Sequence, residues 1–233
     1  SGTPIVPGIF NYTVTTTGDC AAASLNGTIT VQANSTITLS SGAGSDNQVK
    51  CINTAITNIT YTIGGDATGA GITAGTLPAG VTGSFAAGVF TISGTPTVPG
   101  TFTYTVTTTG PCVNVSINGS IVVNDNATIA LTSATGTDAQ TKCINTPVTA
   151  ITYLVGGSGT GVTLTGALPA GVTGTYNAGT QLYTISGTPT VAGTFNYTVT
   201  TNGPCINANL SGTITVQPNS TISLSSAVGT NNQ

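Results

Sequence analysis

Cysteine and lysine are the residues of this chain able to form crosslinks, and both recur at fixed intervals. Cys20, Cys112 and Cys205 follow one another at 92 and 93 residues, and Cys51 and Cys143 stand 92 apart. In an exported protein such a pattern reads as one disulfide per structural unit. The first pairing to consider lies within a unit, Cys51 with Cys112 and Cys143 with Cys205, which leaves Cys20 to a partner outside the segment. One geometric condition opposes it. In a seven-stranded two-sheet unit the loop before the second strand and the loop after the sixth lie at opposite ends, whereas a bridge needs Cα atoms within about 7 Å. Either the Gly-rich segment from Ser41 to Gln48 carries the chain back to the other end, or each bridge joins neighbouring units, for instance Cys51 to Cys205. Free buried thiols are the plain alternative. Without His or a CxxC pair, the cysteines do not read as a zinc site, and no metal or cofactor is expected.

Lys50 and Lys142 each precede a cysteine and follow Asp46 and Asp138 by four residues. A Lys–Asn isopeptide bond is the sharper reading, but it wants a buried carboxylate beside the pair. An exposed loop ion pair is the expectation, worth little to stability. Beyond these two lysines the charged residues are five aspartates, and Arg, Glu, His, Trp and Met are absent. General acid–base and nucleophilic catalysis lose their usual groups, so no catalytic residue is assigned and no enzyme is expected. A net charge of −3 gives no basic stripe for nucleic acid. No run of 18 or more apolar residues occurs, so no membrane span is expected in this segment.

Three further patterns could carry binding. Ten Asn-x-Ser/Thr sequons begin at Asn11, Asn26, Asn34, Asn58, Asn114, Asn118, Asn126, Asn196, Asn209 and Asn219. In a chain so rich in Ser and Thr, chance accounts for them. Outward threonines such as Thr103, Thr105 and Thr107 could meet ice or a carbohydrate surface, though β-branched residues on a strand face need no ligand to explain them. Calcium at the joints is not expected, because Asp125 is the one carboxylate near a joint and calcium wants several oxygen ligands.

These residues are positioned by a repeat. SGTPTVPGTFTYTVTTTGPC from Ser93 and SGTPTVAGTFNYTVTTNGPC from Ser186 differ at three positions of twenty, and SGTPIVPGIFNYTVTTTGDC opens the chain. CINTAITNITYTIGG from Cys51 answers CINTPVTAITYLVGG from Cys143. Within a copy the period is two: Phe102, Tyr104 and Val106 face one way and the neighbouring threonines the other. The second copy reads as seven strands, near 128–133, 148–155, 162–168, 172–177, 181–186, 194–201 and 208–216, and no helix is expected. A period near 92 residues fits an independently folding two-sheet domain. The phase follows from short polar joints at Gln32, Asn124 and Gln217. Complete domains are then expected over 36–123 and 128–216, with 1–31 the last strands of a preceding domain and 221–233 the first strand of a following one. Joints of about four residues restrict hinging, so domains should stack end to end, each adding roughly 25 to 35 Å. Neither end piece can fold alone, which points to a segment of a longer chain.

The run LPAGVTGSFAAGVFTISGTPTVPGTFTYTVTTTG from Leu77 resembles the immunoglobulin-like domains of bacterial surface proteins, marked by LPaG, a short hairpin, GTP and a Gly-Thr-aromatic strand. With CINTxxTxITY and GPC added, the chain resembles the giant repetitive surface adhesins of gliding Bacteroidota, the SprB-like group. The fold expected is all-β, tandem immunoglobulin-like seven-stranded β-sandwiches. The resemblance implies export by the type IX route, display at the cell surface as long filaments, and attachment to a substratum. The function expected is an extracellular stalk segment of such an adhesin, with a carbohydrate- or ice-binding module as the alternative. The partners expected are neighbouring repeats of the same chain, lateral copies in fibres, and an extracellular substratum or polysaccharide.

Overall fold

The computed structural model describes residues 1–223, and the strand expected beyond 223 lies outside the described residues. Every regular element described is a strand, and the chain divides between Asn124 and Asp125 into two compact units.

The first unit opens with an antiparallel hairpin of β1 (Gly8–Thr15) and β2 (Ser24–Val31). Eight strands follow: β3 (Thr36–Leu39), β4 (Asn47–Cys51), β5 (Ile59–Gly64), β6 (Gly69–Gly75), β7 (Val81–Ala86), β8 (Val89–Gly94), β9 (Gly100–Thr109) and β10 (Ser116–Asn124). They form two four-stranded sheets, ordered β3-β5-β8-β7 and β4-β10-β9-β6. All neighbours are antiparallel except β4, which runs parallel to β10 with Cys51 opposite Asn124. The second unit repeats this plan in β11 (Thr128–Leu131), β12 (Ala139–Cys143), β13 (Ile151–Gly156), β14 (Gly161–Gly166), β15 (Val172–Asn177), β16 (Leu182–Gly187), β17 (Gly193–Asn202) and β18 (Asn209–Gln217). Its sheets are β11-β13-β16-β15 and β12-β18-β17-β14.

The strand expected near 128–133 is β11 alone, and a second piece absent from the seven expected strands, β12 here and β4 in the first unit, serves the opposite sheet. β3 pairs with β5, the chain crosses through residues 40–46, and β4 joins β10. The second piece escapes a local reading because NQVKC and AQTKC lack apolar alternation and are held by pairing to strands some 70 residues away.

The core follows from period-two burial. Ile59, Tyr61 and Ile63 of β5, Phe90 and Ile92 of β8, Tyr104 and Val106 of β9, and Ile121 and Val123 of β10 close on one another. Ile151, Tyr153, Tyr183, Ile185, Tyr197, Val199, Ile214 and Val216 do the same in the second unit. Each isoleucine fully removed from water contributes about 1.5–3 kcal/mol. In β1–β2 the same face stays open: Tyr12, Val14 and Ile29 are exposed, although their repeat equivalents Tyr104, Val106 and Ile121 are buried.

Candidate functional site

The cysteines are held by two conserved local devices of the repeat. Cys51 ends β4 and opens a turn closed by Thr54 N–H donating to Cys51 O at 3.1 Å, with Asn53 at φ 61°. Asn tolerates the left-handed region better than most residues, which explains the Asn in the CINT run. Asn53 N–H donates to Pro96 O at 2.8 Å, so CINT is tied to the SGTP run. Cys143 stands in the same turn, with Asn145 at φ 64° and Asn145 N–H donating to Pro189 O at 2.8 Å.

Cys112 and Cys205 lie instead in the hairpin loops that join β9 to β10 and β17 to β18. A threonine closes each loop twice. Thr108 N–H donates to Val115 O at 3.0 Å while Val115 N–H donates to Thr108 Oγ1 at 3.0 Å, and Thr201 with Ala208 makes the same pair at 2.9 and 2.9 Å. Both threonines are fully buried. Each loop also binds the chain entering its own repeat, through Ser35 N–H to Val113 O at 3.1 Å and Ala127 N–H to Ile206 O at 2.9 Å.

The pairings Cys51–Cys112 and Cys143–Cys205 are thereby corrected. Cys51 is level with Asn124 at the far end of β10, and Cys112 lies beyond Ser116 at its near end. Eight residue steps at about 3.3 Å separate those ends by about 26 Å, several times the reach of a disulfide. The same strand length parts Cys143, level with Gln217, from Cys205. Cys51 and Cys205 are each in the bonded form, whereas Cys20, Cys112 and Cys143 carry free thiols. The crossover through 40–46 does carry the chain across the sandwich, but it sends the β4 cysteine away from the hairpin loop.

The lysines make hydrogen bonds where ion pairs were expected. Lys50 Nζ donates to Thr57 Oγ1 at 3.3 Å, Lys142 Nζ to Thr149 Oγ1 at 3.1 Å, and Asp46 Oδ1 accepts from Asn47 Nδ2 at 3.2 Å. A spacing of four joins side chains on a helix; along an extended strand it parts them by about 13 Å. Next to each lysine, a glutamine side chain fastens the β4-type strand. Gln48 Nε2 donates to Ser45 O at 2.7 Å and Thr57 O at 2.6 Å, and Gln48 Oε1 accepts from Thr57 N–H at 2.9 Å. Gln140 repeats this with Thr137 and Thr149. The motif reading missed these glutamines, whose recurrence just before CINT was the available signal.

The outward faces of β9–β10 and β17–β18 carry the threonines and several sequons. Thr105 Oγ1 donates to Asn118 Oδ1 at 2.8 Å, Thr107 pairs with Ser116 at 2.8 Å, and Thr213 Oγ1 donates to Asn196 Oδ1 at 2.8 Å. Asn11 and Asn26 accept from Thr28 and Thr13 in the same way on β1–β2. Those sequon asparagines thus serve as cross-strand partners. Open concavities of about 440 and 530 Å³ lie over Gly119 and Gly212. Beneath each glycine a buried tyrosine pair joins the two sheets, Tyr61 to Tyr104 and Tyr153 to Tyr197, both at 3.1 Å. Burial raises the phenols of Tyr61, Tyr104, Tyr153, Tyr183 and Tyr197 above the ordinary 10.0.

An alkaline prediction follows from that direction. The folded protein keeps these protons where the unfolded chain loses them, so their contribution is whole below about pH 10 and declines as pH rises above it. The melting temperature is expected to fall progressively above pH 10, with tyrosinate absorbance of the buried phenols appearing only as the fold is lost. Ionisation of all seven tyrosines near pH 10 in an intact fold would contradict it.

Among the described residues no group of three or more His, Cys, Asp or Glu is placed to hold a metal, and no helix is long and apolar enough to cross a membrane. No family model and no curated protein matches the chain. Solved structures do. A three-domain titin structure, the E-to-A variant of I67–I69, is 12% identical, with a TM-score of 0.58, over 81% of this chain and 67% of that one. The I-band fragment I67–I69 from titin gives 11% identity and a TM-score of 0.55 over 74% of this chain, which spans 63% of the fragment. Likeness at that identity speaks for the fold alone, and with the sheet orders above it establishes an all-β chain of tandem immunoglobulin-like domains.

Proposed function

We propose that this chain is a stalk segment of an extracellular cell-surface adhesin, serving attachment to a substratum or gliding, with adhesion proper residing elsewhere on a longer molecule. One observation carries the reading: two near-identical immunoglobulin-like units follow each other, and outward hydroxyls such as those of Thr105, Thr107, Thr198 and Thr213 are already paired across strands. Duplication of a whole domain adds length without adding chemistry. Export by the type IX route and assembly of lateral copies into fibres belong to the same reading, supported by the sequence resemblance.

The alternative is a carbohydrate- or ice-binding module. The concavities over Gly119 and Gly212 favour it, as open polar depressions repeated in each unit. The paired hydroxyls weigh against it, because a ligand must displace bonds already made. Solution scattering and retention on immobilised polysaccharide separate the two. An elongated particle, no retention and no thermal hysteresis are expected for a stalk; a compact particle, or retention abolished by filling a depression with Asn118→Trp, refutes it.

A further inference from the structure

We infer that Asn202 and Gly203 of the second repeat form a self-modifying site, at which the main chain converts the Asn202 carboxamide into a carboxylate without an enzyme. Three Asn-Gly pairs occur in the chain, Asn26–Gly27, Asn118–Gly119 and Asn202–Gly203. Glycine has no Cβ to shield its nitrogen, so in each pair that nitrogen can approach the preceding carboxamide carbon unless it is held elsewhere. The fold separates the three.

Gly27 and Gly119 sit inside strands. Gly119 lies opposite Tyr104, in step with Thr108 N–H donating to Val115 O at 3.0 Å, and alternate antiparallel pairs exchange both main-chain bonds. Gly27 lies opposite Tyr12, in step with Thr16 N–H donating to Ala23 O at 2.9 Å. Both nitrogens are thereby committed to the ladder. Gly203 lies past the end of β17, and among the described residues its N–H makes no hydrogen bond.

The electrophile is prepared as well. Asn202 Oδ1 accepts from Thr163 Oγ1 at 3.0 Å, a donor placed on the oxygen where charge develops during attack. The Asn202 main-chain oxygen accepts from Thr160 N–H at 2.7 Å and from Thr160 Oγ1 at 3.2 Å. Those two bonds polarise the peptide between Asn202 and Gly203 and make the Gly203 N–H more acidic. Asn202 is exposed, so water reaches it. The first repeat has the same frame without the reactive group: Thr68 N–H and Oγ1 donate to Thr109 O at 2.7 and 3.3 Å, but Thr109 has no side-chain carbonyl.

The reaction balances with water alone. Gly203 N gives its proton to solvent base and bonds to Asn202 Cγ; the Cγ–Nδ2 bond breaks, and Nδ2 takes up a proton and leaves as ammonia. The cyclic imide then adds one water. Opening at Cγ leaves aspartate at 202, and opening at the Asn202 main-chain carbonyl leaves isoaspartate, whose main chain is one carbon longer. Nothing is oxidised or reduced. Either product adds one negative charge to the chain's −3. The longer product enters the hairpin loop that Thr201 closes with Ala208 and that Ala127 N–H binds at Ile206 O. It loosens the start of the second repeat and leaves the first untouched, so the change marks the age of the molecule at one repeat.

Ageing the intact chain at neutral and mildly alkaline pH tests the site. Chymotrypsin places Asn202 in 198–210, Asn118 in 105–131 and Asn26 in 26–39, and electron-transfer fragmentation tells aspartate from isoaspartate in each. In the folded protein both products are expected several-fold faster at 202 than at 118 or 26, and faster as pH rises. In guanidinium, where the ladder is gone, the three rates should converge. Thr163→Val is expected to slow the reaction at 202 several-fold with 118 unchanged, and Asn202→Thr, which installs the residue of the first repeat, to abolish it. Equal rates at the three pairs in the folded protein, a preference for 202 that survives in guanidinium, or a Thr163→Val rate equal to the parent's overturns the inference.

Discussion

Gly119→Ala is expected to destabilise the first repeat by about 2–4 kcal/mol, whereas Gly71→Ala in the same sheet should be neutral or gain up to about 1 kcal/mol. Intrinsic preference says that both should help, since Gly weakens a strand interior. Local packing separates them. A Cβ on Gly119 would collide with the Tyr104 ring at Cζ and lie 2.7 Å from the main-chain oxygen of Asp46, while one on Gly71 meets nothing within 4 Å. Tyr104 cannot retreat, because it is 2% exposed and its hydroxyl is bonded to Tyr61 between the sheets. Gly212 over Tyr197 is the same site in the second repeat. For a domain of this size each kcal/mol moves the melting temperature by about 4–8 °C. Thermal melts of the two variants check it, and equal effects would show that the tyrosine pair does not set the packing of this sheet.

Loss of the disulfide is the second large effect. Cys51 and Cys205 are each in the bonded form, and a disulfide removes chain entropy from the unfolded state equivalent to about 2–4 kcal/mol. Reductant, or the variant Cys51→Ser with Cys205→Ser, is expected to lower the melt by several degrees. The free thiols at Cys20, Cys112 and Cys143 should respond to neither treatment. An unchanged melt after verified reduction would show that the bond leaves stability untouched.

The sequence revealed much of the fold and little of the connectivity, for different physical reasons. The alternation of Phe102, Tyr104 and Val106 with threonines is a local signal, and β9 lies on it with Tyr104 and Val106 in the core. β4 and β12 carry no such alternation, because their place is set by parallel pairing with distant strands. The division of the cysteines into two classes was legible from spacing. Whether Cys51 can reach Cys112 of its own repeat depends on the direction in which β4 runs along β10, and no spacing contains that. The lysine–aspartate spacing misled for a related reason: four residues is one helical turn but a long reach on a strand. Asn118, a sequon on paper, became intelligible only as the acceptor opposite Thr105.

Stretching single molecules from their two ends tests the tandem-domain account most directly. With all cysteines reduced, the two repeats are expected to unfold as two separate force peaks, because each is a compact unit with its own core. A single event that releases both repeats at once would contradict it.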